Sequence, residues 1–117
     1  MRAGLTPRET LERALGVIED PMQWAQGGLA RDRAGHIVQV FAPGACQWCA
    51  LGALHKAAGE EAPSYSVRVM ELLDDAATLF GWRSIVDMND NGAHADVVEA
   101  FKRAIAVCGT GAAETVP

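Results

Sequence analysis

The stretch "GACQWCALGAL", residues 44–54, decides how the rest of the chain is read. It holds two cysteines at CxxC spacing, a tryptophan between them, and then a run of small apolar residues. Cysteines in such a setting serve as a metal half-site, a redox pair, a nucleophile at a helix start, or plain core. From about Ala45 to Ala58 the residues are apolar nearly all round, with Ala50, Leu51, Ala53, Leu54 and Ala57, which reads as a buried helix. Gly52 inside it costs about 1 kcal/mol relative to alanine, so a second backbone is expected to pack closely against it. Gly52→Leu is then expected to overpack the core.

Upstream, "TPRE" (Thr6 to Glu9) is a helix start: Thr6 can cap, Pro7 fits the first helical position and Glu9 completes a capping box. Leu11, Ala14, Leu15 and Ile18 make the apolar stripe, and Pro21 ends this helix near Glu19. Asp20-Pro21 is expected to open a short second helix through Trp24 to about Leu29. Asp32 to Gly35 reads as a turn, and "HIVQVF" (His36 to Phe41) as an extended arm or short strand without a strong partner.

Downstream, Ser64 or Ser66 caps an amphipathic helix to about Phe80, with Val69, Leu72, Leu73, Ala76, Leu79 and Phe80 inward. Gly81 stops it. "WRSIVDMNDNGAH" reads as a loop with buried-looking Ile85 and Val86. A last helix runs from about His94 to Val107, with Val97, Val98, Phe101, Ala104 and Ile105 inward. The fold expected is mainly all-α: a compact bundle of roughly five helices with one short extended arm or minimal β-hairpin near residues 36–41. Residues 1–108 are expected to form a single helical domain and 109–117 a disordered tail.

The chain has 117 residues, half of them hydrophobic, and a formal net charge of −5. Its ten Lys and Arg form no basic run, which disfavours nonspecific binding to nucleic acid or to an anionic membrane. No apolar run approaches the roughly 20 residues of a spanning helix, and the start "MRAGLTPRETLERAL" lacks a signal-peptide core. Three cysteines cannot pair off completely. A cytoplasmic location with reduced thiols is the expectation.

"WAQGGLARDRAG", "WCALGAL" and "NDNGAHADVVEAFKRAI" together resemble a group of small uncharacterised bacterial and phage proteins. Its members share a W-C-A-hydrophobic-G-A-L motif and a downstream N-D…H-A-(D/E)-V segment leading into a helix. The likeness covers most of residues 24–105. Trp48, Cys49, Gly52, Asn89, Asp90 and His94 fall on the motif, whereas Cys46 and Cys108 lie outside it. The resemblance implies a fold and a bacterial or phage setting, and no chemistry.

Four candidate chemistries follow. Cys46 and Cys49 supply half of a zinc site, but no second pair at metal spacing follows, and Cys108, His36, His55 and His94 are scattered. A redox CxxC usually follows a strand in a βαβ unit, a pattern absent here. Asp87, Asn89, Asn91 and Gly92 match the first half of a calcium loop, but its twelfth position holds Val98 rather than glutamate. The fourth is a nucleophilic Cys49 with His94 as base and Asn89 or Asp90 to orient it. Against it, Cys49 lies among Trp48, Ala50 and Leu51, the surroundings of a core thiol. No catalytic set is adopted, and neither metal nor cofactor is expected. The function expected is that of a small acidic binding or regulatory protein whose partner is a protein. The alternative is a small cysteine-dependent enzyme using Cys49, His94 and Asn89 or Asp90.

Overall fold

Helix α1 (Pro7–Ile18) begins as its sequence dictates. The Thr6 hydroxyl accepts from the Glu9 N–H and the Glu9 carboxylate accepts from the Thr6 N–H, a reciprocal capping box with proline at the first position. The computed structural model describes residues 5–60 and 66–109. After α1, Asp20 caps a single 3-10 turn, Pro21–Gln23, and the chain then extends from Trp24. The expected second helix to Leu29 is therefore corrected. Gly27, in the left-handed region with φ of 80°, breaks any helical run there.

A three-stranded antiparallel sheet follows, in the order β2–β1–β3: β1 (Ala30–Asp32), β2 (Ile37–Val38) and β3 (Ala45–Trp48). Asp32 to Gly35 forms the predicted turn between β1 and β2, with Gly35 at φ of 87°. Ala30 stands opposite both Val38 and Trp48, and the register with β3 slips between Arg31 and Asp32. The sheet thus exceeds the minimal hairpin expected near residues 36–41. Its third strand occupies Ala45–Trp48, a stretch read above as the start of the buried helix.

Helix α2 is shorter than expected, Ala50–Ala58, with Cys49 as its N-cap. Helix α3 (Val67–Leu79) is capped by Ser66. The expected loop at 82–94 is corrected too, because it contains α4 (Ile85–Asn91), capped by the Ser84 hydroxyl accepting from the Asp87 N–H. Helix α5 (His94–Gly109) closes the described fold. The chain is mainly helical, with five α-helices among the described residues.

Helix α1 packs against α2 and α5, and α5 also packs against α3. Leu54, Leu72, Leu73 and Phe101 are buried as expected, while Leu51 and Ile105 are only partly covered. Leu79, Phe80 and Val86, expected inward, are exposed. Gly81 lets the chain leave α3 at φ of 92°, so Phe80 lies on the outer side of that exit. No helix among the described residues is long and apolar enough to cross a membrane.

Candidate functional site

The N-terminus of α2, the segment Gly27–Leu29 and one face of α4 enclose a cavity of about 200 Å³. Its lining includes Gly28, Leu29, Cys49, Leu51, Val86 and Asp90, with Asn89 beneath. Val86, Asn89 and Asp90 share a helix face because they stand three and four positions apart.

Asn89 holds the three walls together. Its side chain is buried and every polar atom on it is used. Oδ1 accepts from Trp24 Nε1 at 2.8 Å and from the Ala50 N–H at 2.9 Å. Nδ2 donates to the Ala25 carbonyl at 3.0 Å and to Asp90 Oδ1 at 3.2 Å. Asp90 Oδ1 also accepts from the Gly27 N–H at 3.0 Å. Gln26 Nε2 donates to the carbonyls of Asn89 and Gly92, which covers the end of α4. Arg31 spans the base of this segment, donating to the carbonyls of Gln26 and Gly35.

Cys49 caps α2. Its sulfur accepts from the Gly52 N–H at 3.3 Å, and the Leu29 carbonyl accepts from the Cys49 N–H at 3.2 Å. Burial pushes the thiol above its ordinary value and the Asp90 charge pushes it the same way, against the opposing pull of the Gly52 and Leu51 N–H groups. Cys49 is therefore a protonated cap rather than a thiolate at neutral pH.

His94 lies elsewhere. Its Nε2 is 2.7 Å from the Ile18 carbonyl oxygen, and because a carbonyl only accepts, Nε2 carries the proton. Its ring meets Trp24 edge-on at 5.4 Å. The structure thus brings Cys49, Asn89 and Asp90 to one cavity and sets His94 on the Ile18 side of Trp24.

The calcium-loop residues lie on and just after α4. Asp87 accepts from the Arg83 N–H and from Asn91, and the Arg83 N–H first of all holds its carboxyl below the usual carboxylate range. Asn89 is turned inward. Cys46 lies on β3 beside a separate hollow formed with Asp32 to Ala34 and Pro43 to Ala45, and Cys108 is buried on α5. His36 faces Asp32 at 3.5 Å, and His55 lines a third hollow with Val40 and Phe41. Among the described residues no three His, Cys, Asp or Glu side chains gather closely enough to hold a metal ion. Sequence reasoning did not single out Gln26, Gly27, Gly28 and Leu29 as site residues. "QGG" reads as part of the short helix expected to run to about Leu29, and only its pairing with the Asn89-Asp90 step reveals a wall.

The cap alters what a cysteine substitution tests. Serine at position 49 keeps an acceptor for the Gly52 N–H, so a mild effect of Cys49→Ser does not distinguish core from nucleophile. Cys49→Ala removes the acceptor and is expected to cost about 1 kcal/mol in a urea melt. Native Cys49 is expected to react slowly with iodoacetamide near neutral pH, at a rate that His94→Ala leaves unchanged. Fast labelling that depends on His94 would overturn the cap reading.

Residues 2–107 match the family model of DUF6197, described as a family of unknown function. No curated protein and no solved structure matches the chain.

Proposed function

The chain belongs to DUF6197, and on that premise we propose that it is a small acidic binding protein that engages a protein partner through the face around the α2–α4 cavity. The observation that carries this reading is the apolar rim. Leu29 is 41% exposed and Val86 39%, both on the cavity wall, and Ile37, 61% exposed, lies over Gly28 beside them. Grouped apolar side chains left in water around a concavity are a feature of contact surfaces. The cavity is smaller than the roughly 300–1,000 Å³ of sites for whole small molecules, which favours a single inserted side chain.

The cysteine-enzyme reading has one supporting observation, the shared cavity of Cys49, Asn89 and Asp90. Its base and nucleophile are both engaged elsewhere, His94 with Ile18 and the thiol with Gly52. The binding reading therefore has the better support.

The test is co-purification from the native host with mass spectrometry, comparing the wild type with Val86→Asp. A protein recovered with the wild type and lost with Val86→Asp is the expected result. Identical recoveries with both would overturn the proposal, since Val86 is a surface residue whose replacement leaves the core intact.

A further inference from the structure

We infer that the side chain received by this cavity is cationic, a lysine or arginine of the partner, with its aliphatic stem against Leu29, Leu51 and Val86 and its charged head at Asp90. This rests on the binding reading above. Three observations select the chemistry of the occupant.

First, two of the N–H groups that open α2 are closed to an anion. The Ala50 N–H is used by Asn89 Oδ1 and the Gly52 N–H by Cys49 Sγ. The Gly27 N–H is used by Asp90.

Second, the wall carries one acceptor with capacity left. Asp90 is exposed and both of its described hydrogen bonds go to Oδ1, leaving Oδ2 without a partner among the described residues. Arg31, the nearest guanidinium to Gly27, is held by the carbonyls of Gln26 and Gly35 and forms no ion pair with Asp90. A partner's ammonium or guanidinium group can complete Oδ2 with a charge-assisted bond.

Third, apart from Cys49, Asn89 and Asp90 the lining is aliphatic or glycine, which suits a methylene stem. The net charge of −5 draws a basic partner in over longer range.

The experiment is an amide NMR titration of the intact protein with two capped amino acids, N-acetyl-arginine methylamide and N-acetyl-citrulline methylamide. The second is nearly the same shape but carries a neutral urea in place of guanidinium. The arginine probe is expected to shift the amides of Gly27, Gly28 and Leu51, and to bind about fivefold more tightly than the citrulline probe, the scale of one partly exposed ion pair. Asp90→Asn is expected to abolish that difference while keeping an acceptor for the Gly27 N–H. Equal binding of the two probes to the wild type would overturn the inference, as would shifts around Asp74 and Asp75 as large as those at Gly27. The probe comparison needs only the wild type, so it holds even where the variant folds poorly. Its failure is separable from failure of the binding reading, because a partner lost with Val86→Asp would still stand beside two probes that bind alike.

Discussion

Asn89→Asp is expected to destabilise the protein by about 3–5 kcal/mol at neutral pH, read as a lowered urea midpoint with unchanged slope. The change is nearly isosteric, so volume is not the cause. Oδ1 can keep the Trp24 and Ala50 bonds, but the second oxygen faces the Ala25 carbonyl and Asp90 Oδ1, where the amide donated. Two acceptors lose their donor, and a charge is placed in a buried site beside another carboxylate. Burial and Asp90 both raise the folded-state pKa of the new carboxyl above its unfolded value. The variant is thus least impaired at acid pH, where the group is protonated in both states, and loses stability as pH rises through the folded value. A variant as stable as the wild type at pH 7 would show that Asn89 does not hold the cavity walls together.

Gly52→Ala is expected to cost about 3 kcal/mol, although alanine is the better helix former. A Cβ at this position would collide with the Leu29 carbonyl oxygen, and that oxygen is also the acceptor for the Cys49 N–H. The obstacle is backbone pinned to the start of the same helix, so it cannot turn aside as a side chain would. Gly16→Ala in α1 supplies the contrast. Nothing lies within 4 Å of its would-be Cβ, and the same substitution there is expected to stabilise by about 0.5–1 kcal/mol. Thermal or urea melts of the pair should move in opposite directions. Movement in the same direction would remove close packing as the explanation.

The outcome at Gly52 shows what was legible in the residues and what was not. A glycine amid Ala50, Leu51, Ala53 and Leu54 announced a close approach, and the structure supplies it as the Leu29 carbonyl. "TPRE" announced its capping box, and the stripes of α3 and α5 announced Leu72, Leu73 and Phe101 as core. The boundary at Cys49 was not legible, because helix starts are flagged by Ser, Thr, Asp or Asn and here a sulfur does that work. Without that flag, Ala45–Trp48 merged with the apolar run behind it. The sheet was hidden for a related reason: strands of three, two and four residues are too short to show alternation. Helix α4 carried its signal, Ser84 three residues before Asp87, but the turn-rich composition of "DMNDNG" outweighed it. Cys49, Asn89 and Asp90 could be named as candidates from residue type. Their meeting at one cavity depends on long-range pairing that no local pattern encodes.

That pairing has a consequence in time. The bonds of Asn89 to Trp24, Ala25 and Ala50 span 65, 64 and 39 residues of chain. Contacts so distant close large loops, and a folding chain makes them after the local turns and neighbouring helices have formed. The walls of the cavity are therefore expected to come together late, on the native side of the folding barrier. Loss of the Asn89 bonds should show mainly as faster unfolding, with the folding rate little changed. The cavity thus lasts for about as long as one buried amide keeps its partners.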